Sequence, residues 1–394
     1  MSVSLKIKEY MEQSSWIRKM FEQGIELKSK LGAENVFDFS LGNPNLEPPE
    51  KVKEAILKVL ADRRLGKHAY MPNAGLKETR QAVANSLSKE HRIRISWEQI
   101  IMTCGAGGGL NVALKTLLDE KDEVIVLAPY FVEYFFYINN HNGFRQLIHT
   151  NEDFTLNLKA VEGAVNQKTK AIIINSPNNP SGVVYDKKSI DSLGKILLKA
   201  KETYSQPVYL LSDEPYSKLV YDGLKVPSVL MAYPYSLLIT SYSKDLSLPG
   251  ERIGYIAVNP EMENWQQVVD GLTFCNRILG FVNAPALMQR ILPHLQGVTV
   301  DVSQYQRKRD LLCQGLSDAG YSFIKPQGAF YLFPKSPIPD DVLFVQTLLQ
   351  ENILAVPGMG FGTPGHFRLA YCVEDRVIEG SLEGFRRAIR KYSS

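Results

Sequence analysis

From about residue 76 the chain alternates between stretches with helical spacing of apolar residues and short apolar runs closed by turn residues. That alternation predicts a wound α/β sheet, mostly parallel, with helices as the crossover connections. The runs that read as strands are 99–103, 123–127, 170–175, 208–212, 237–240 and 252–258, and helical spacing covers 76–91, 107–118 and 187–203. After Pro260 the pattern changes to longer helices, over 261–278, 284–295 and 301–319. A smaller mixed region follows, with strand-like runs at 321–324, 329–333, 353–356 and 367–371, a helix over 340–351 and a closing helix. The expected organisation is a helical N-terminal segment, 1–48, that joins a small C-terminal α+β domain, 286–394, and a large α/β domain between them, 49–285.

A chain of 394 residues is long enough for two such cores. Its net charge of +3 arises from 45 basic and 42 acidic residues interspersed along the chain, so no basic surface for nucleic acid is indicated. Cys104, Cys275, Cys313 and Cys372 lie far apart without metal-ligand spacing, which points to reduced thiols and no metal site. No apolar run reaches membrane-spanning length, and the N-terminal stretch carries charges every few residues. The expected location is the cytoplasm.

Candidate chemistry collects where predicted strands end, the edge at which open α/β sheets bind ligands. TSYSKDLSLPGERIGY, residues 240–255, places Lys244 in a turn between two buried runs, where an amine is held for Schiff-base chemistry rather than released to solvent. MTCGAGGGL, 102–110, puts a glycine-rich turn between a strand and a helix, with backbone N–H groups suited to a phosphate; a tight turn alone would use the same glycines. Its spacing matches neither GxGxxG nor GxxxxGK[ST], which argues against dinucleotide and nucleoside-triphosphate sites. APYFVEY, 128–134, offers a flat aromatic face or plain core packing. NSPNNPSG, 175–182, places Asn179 in a compound turn at a strand end. LSDEPYS, 211–217, ends an apolar strand on Asp213, which needs a cationic partner if it is buried and otherwise reads as a helix cap. FRLAY, 367–371, buries Arg368 in an apolar strand, where it meets either an anionic ligand or a structural acid.

In order and spacing these segments resemble the fold-type I pyridoxal-phosphate aminotransferases of class I and II, the aspartate aminotransferase-like group, from about Phe39 to the C-terminus. The resemblance implies pyridoxal 5′-phosphate as cofactor and ping-pong transfer of an amino group between an L-amino acid, aspartate or another common one, and a 2-oxo acid. It assigns Lys244 to the Schiff base and to proton transfer at the substrate, Asp213 to the pyridine nitrogen, and Asn179 and Tyr216 to the phenolic oxygen. Phe131 then stacks on the ring. The phosphate falls to the turn Gly105, Ala106 and Gly107, to Ser241 and Arg252, and to Tyr70 from a second subunit, which implies a homodimer with shared active sites. Arg368 and Gly42, the latter in SLGNPN, correspond to the substrate carboxylate site.

Arg277, in CNRILGFVNAP, lies near the place where some relatives donate a cross-subunit arginine to a distal carboxylate; a surface arginine is the plainer reading. GAGGG lacks the loop lysine that other relatives use for dicarboxylic substrates. A C–S β-lyase would use the same lysine and aspartate. A transcription regulator with an aminotransferase-like sensor domain would need a DNA-binding region ahead of SLGNPN, where only a short helical segment stands.

Overall fold

A computed structural model describes residues 3–13, 16–63 and 65–392. Seven strands form the main sheet: β1 (Ile100–Thr103), β2 (Glu123–Ala128), β3 (Phe144–His149), β4 (Thr169–Asn175), β5 (Tyr209–Asp213), β6 (Ser236–Ser241) and β7 (Gly254–Val258). Their order is β1-β7-β6-β5-β4-β2-β3; β7 runs antiparallel between β1 and β6, and every other neighbouring pair is parallel. Parallel strands covered by helices on both faces are apolar on both faces, which is why these strands read as unbroken apolar runs.

Strand β3, FRQLIH, lies outside the sequence expectation. It occupies the sheet edge and is largely half-buried or exposed, so only part of its surface had to be apolar. Helices Glu50–Ala61 and Glu133–Asn140 were also not anticipated. The second begins EYFFY, a block of aromatics in which an apolar helical stripe is hard to distinguish. Conversely, 321–324 is not a strand. Tyr321 is buried as a plug, its ring against Phe344, Phe367 and Phe385 and its hydroxyl donating to the Phe385 carbonyl.

Beyond the sheet, β8 (Tyr331–Leu332), β9 (Val356–Pro357) and β10 (Phe367–Ala370) form a small antiparallel sheet in the order β9-β10-β8. Helices Val302–Ala319 and Asp375–Arg390 pack together beside it. Helix Ala286–Ile291 packs on Glu50–Ala61.

The N-terminal segment is stitched into this second region. Phe37–Asp38 pairs in parallel with Ile353–Leu354, Phe39 N donates to the Leu354 carbonyl at 2.9 Å, and Ala370 N donates to the Phe39 carbonyl at 2.9 Å. Lys28 anchors Asp38 at 2.6 Å, and Asp38 also accepts from the Ser40 backbone and hydroxyl. These contacts fix the course of residues 37–42 over the carboxyl ends of the main sheet. Among the described residues, no helix is long and apolar enough to cross a membrane.

Candidate active site

Strands β4, β5 and β6 are adjacent and in register so that Asn175 lies beside Asp213, and Asp213 beside Ile239. Asn175 then organises the loop beyond its own strand. Its Nδ2 donates to the Asp213 carbonyl at 2.8 Å, and its Oδ1 accepts from Asn179 N at 2.7 Å. A cleft of about 310 Å³ opens above these ends, and its wall includes Gly42, Phe131, Asn179, Tyr216, Lys244 and Arg368.

Asp213 is only 5% exposed. Tyr134 donates its hydroxyl to Oδ2, while Oδ1 has no hydrogen-bond partner. Burial therefore raises its pKa to about 7, against the lowering effect of the Tyr134 bond. A buried carboxylate oxygen without a partner is costly, and a cationic ring nitrogen in the cleft would satisfy it.

Lys244 follows β6 by three residues and points into the same cleft. Its Nζ donates to the Gly42 carbonyl at 2.9 Å and lies 5.4 Å from the centre of the Phe330 ring. Burial lowers its pKa to about 8; Cys372 opposes this, and the Arg252 and Arg368 cations add smaller effects in the lowering direction. The amine is thus closer to its nucleophilic neutral form than a surface lysine is.

At one end of the cleft, helix Gly105–Leu117 presents the unbonded N–H groups of its first turn. Gly105 has φ 72°, and a Cβ there would lie 2.9 Å from Arg252 Nη2, so the glycine admits the guanidinium to the helix end. Arg252 is exposed and itself left-handed at φ 51°, with Nη1 donating to the Pro249 carbonyl at 2.9 Å. Ser241 lines the same part of the wall. Helix N-terminus, hydroxyl and guanidinium together have the donor chemistry of a phosphate site.

Arg368, only 2% exposed, stands on β10. Nη1 donates to Asn179 Oδ1 at 3.1 Å and Nη2 to the Ser40 carbonyl at 2.6 Å, while Nε has no partner. The Tyr331 and Phe361 ring centres each lie 4.8 Å from its guanidinium carbon. Burial lowers its pKa, and among the described residues no carboxylate pairs with it. Gly42 must lack a side chain here, because a Cβ would come within 2.0 Å of the Tyr331 hydroxyl. Tyr331 also shares a 2.9 Å hydrogen bond with Tyr216, whose pKa burial raises well above the ordinary value.

Of the residues expected from sequence, Gly42, Ala106, Gly107, Phe131, Asn179, Asp213, Tyr216, Ser241, Lys244, Arg252 and Arg368 line this one cleft, and Gly105 borders it through Arg252. Tyr70 is 90% exposed and does not line it, and Arg277 lies on an exposed helix end against Phe274. The sequence reading missed Glu133, Tyr137, Asn175 and Tyr331 in the wall and the role of Tyr134 behind it. Asn175 closed a predicted strand and its place was recoverable; the tyrosines sat in aromatic runs that carry no polar spacing. The orphaned Asp213 oxygen, the flat Phe131 face and the phosphate-type donors fit pyridoxal phosphate.

Comparison with known proteins agrees with this geometry. The chain is 38% identical, over the whole of both chains and with a TM-score of 0.97, to the crystal structure of an amino transferase from Eubacterium rectale. It is 33% identical to a probable aspartate aminotransferase of Methanocaldococcus jannaschii, over 89% of this chain and 93% of the relative. The aspartate aminotransferase of Thermus thermophilus, solved with maleate, superposes with a TM-score of 0.87 at 29% identity, covering 98% of this chain and all of the other. With the model of aminotransferase class I and II matching residues 34–384, the chain belongs to that family and is a pyridoxal-phosphate-dependent amino-acid aminotransferase.

Proposed function

We propose that the cleft around Lys244 transfers the amino group of a common L-α-amino acid to a 2-oxo acid, with Arg368 holding the α-carboxylate of both. The observation that carries this reading is Arg368 itself: a buried guanidinium with an unused Nε and no acid beside it is suited to a carboxylate that arrives as ligand. Bound pyridoxal phosphate supplies the electron sink that lets bonds at the substrate Cα break. Asp213 stays ionised against the ring nitrogen, with Tyr134 behind it. Asn179 and Tyr216 would hold the phenolic oxygen, and Phe131 would cover the ring. Ala106, Gly107, Ser241 and Arg252 take the phosphate. Lys244 would hold the cofactor through Nζ, and its free amine would take a proton from the substrate Cα and return one on the reverse pass. Its depressed pKa, about 8, favours that role near neutral pH.

The relatives' names span aspartate, aspartate/prephenate, asparagine and aromatic amino acids, so the family leaves the donor open between aspartate and other common amino acids. The working unit is a homodimer in which Tyr70 of one copy completes the phosphate site of the other. Its 90% exposure in the single chain, beside the almost fully exposed Leu65, supports this assembly. Arg277, which stands outside its own cleft, meets a substrate only across that dimer. The described cysteines are all free thiols, in keeping with a cytoplasmic enzyme.

The test is product analysis of the cofactor-loaded protein given single amino acids with 2-oxoglutarate. Appearance of glutamate and the donor's oxo acid in equal amounts supports transamination. Pyruvate and ammonia from cystathionine, without glutamate, would replace it by the C–S β-lyase reading.

A further inference from the structure

The cleft wall contains five charged side chains, Glu133, Asp213, Lys244, Arg252 and Arg368, and four of them have work in the reading above. Glu133 does not. It opens helix Glu133–Asn140, is half-buried, and among the described residues accepts no hydrogen bond and forms no ion pair. Burial raises its pKa with no opposing cation. The helix that carries it is tied down on both sides of the site. Tyr134 bonds to Asp213, and the Tyr137 hydroxyl lies 3.0 Å from where a Cβ on Gly107 would sit. The acid is therefore held in the cleft by its backbone.

We propose that Glu133 sets the choice of amino donor: its carboxylate turns away substrates that end in a second carboxylate and favours those whose side chain is neutral or ends in a hydrogen-bond donor, such as a carboxamide or ammonium group. The inference rests on Arg368 as the α-carboxylate site. With Arg368 so engaged, and Asp213, Lys244 and Arg252 turned to the cofactor, Glu133 is the one charged side chain of this wall left to meet a distal carboxylate, and no cation of the wall remains for it. Two like charges within a few ångströms in a half-buried cleft lower affinity by roughly tenfold or more. A carboxamide of the same shape escapes that repulsion and can donate to the carboxylate.

Two probes without an amino group separate this idea from catalysis. Binding of propionate and of succinate to the cofactor-loaded enzyme is measured by calorimetry for the natural protein and for Glu133→Gln. The expected result is that the substitution tightens succinate about tenfold and leaves propionate within about twofold. In turnover, the kcat/KM ratio of aspartate to alanine should rise by a similar factor. Succinate affinity unchanged or weakened by Glu133→Gln would overturn the proposal; a weakening would mean that the acid positions a cation, Arg277 of a second copy for example, for the distal carboxylate. Failure of propionate to bind the natural enzyme would overturn the Arg368 reading and the proposal with it. Tight propionate with unaltered succinate overturns the Glu133 assignment alone.

Discussion

Two buried arginines show how differently this molecule treats charge. Arg309, with no exposed surface, grips Asp222 through Nη1 and Nη2 at 2.7 and 3.0 Å, bonds Asp310 through Nε at 3.0 Å, donates to the Pro326 carbonyl and lies on the Tyr221 ring. Burial pulls its pKa down, but the hydrogen bonds and charges of Asp222 and Asp310 outweigh it and hold the value above the ordinary one. Arg368 is just as enclosed yet has an amide oxygen, a backbone carbonyl and two aromatic faces where Arg309 has acids. Its pKa is lowered. The carboxylates differ in the same way: each has one buried oxygen without a hydrogen-bond partner, but Asp245 has Lys218 at 3.3 Å from the other, whereas Asp213 has only a tyrosine there. At Arg309 and Asp245 this chain supplies the counter-charge itself; at Arg368 and Asp213, in the cleft, it leaves the place to a ligand.

The largest expected effect separates activity from stability at Asp213. Asp213→Asn removes the charge opposite the ring nitrogen and should slow turnover by about 10²- to 10⁴-fold, the equivalent of about 3–5 kcal/mol. The cofactor-free chain should respond the other way. Burial raises the folded pKa of Asp213 from 3.8 to about 7, so the folded state binds the proton more tightly than the unfolded one and stability falls as pH rises through that window. The asparagine variant lacks this cost. Its advantage should be absent near pH 4 and reach on the order of 4 kcal/mol above pH 7, at about 1.4 kcal/mol per pKa unit. Denaturant melts of both cofactor-free proteins at several pH values measure the difference. Glu214, also raised by burial to about 8, is common to both; the Asp213 charge is the smallest of the causes of that rise, so its own contribution to the difference is minor. A pH-independent difference would mean that Asp213 is not a strained acid.

Arg309→Met should do the opposite. Its partners are half exposed and can return to water, so the loss is expected below the usual cost of breaking a buried pair, at about 2–3 kcal/mol of stability with kcat preserved in the folded protein. Arg368→Gln should leave the melting temperature unchanged or higher while kcat/KM falls about 10- to 100-fold for every α-amino acid, because a charge-assisted hydrogen-bond pair contributes about 1.5–3 kcal/mol. Loss of stability at Arg368, or of turnover at Arg309, would erase the distinction between them.

The same contrast explains what could be read from the chain. Lys244, Asp213 and Arg368 stood out because a charge at the edge of an apolar run, or inside one as at Arg368, is conspicuous in sequence, and each reaches the cleft. The parallel strands were legible because both of their faces are buried; edge strand β3 was not, since its outer positions face water. Residues 321–324 gave the apolar signal of a strand for a different reason, the burial of Tyr321 among three rings. What sequence could not deliver is pairing. QYQRKRD shows only Asp310 beside Arg309; the acid that its guanidinium grips with two nitrogens, Asp222, comes from a distant loop, and nothing in FRLAY says that Arg368 will find none. Tyr134 and Tyr331 were hidden for the same reason, as their hydroxyls matter only through partners brought by distant segments.

Tyr134 offers the finest test of the comparison, because among the described residues it is the one group that donates to the Asp213 carboxylate. Tyr134→Phe removes that hydrogen bond and leaves burial unopposed, so the Asp213 pKa should move further up, from about 7 in the cofactor-free chain and from the lower value that a cationic ring nitrogen would impose in the loaded enzyme. The carboxylate is charged only above its pKa. The variant should therefore be most impaired at the acidic end, and the acidic limb of its kcat/KM profile should shift to higher pH while activity converges on that of the natural enzyme as pH rises. One hydrogen bond to a charged group that is also held by the ring nitrogen corresponds to about 1 kcal/mol, roughly fivefold at neutral pH. A uniform fall across the whole pH range would instead assign Tyr134 to packing beneath Phe131, whose ring meets it edge-on at 5.6 Å, and would leave Asp213 to be tuned by the ligand alone.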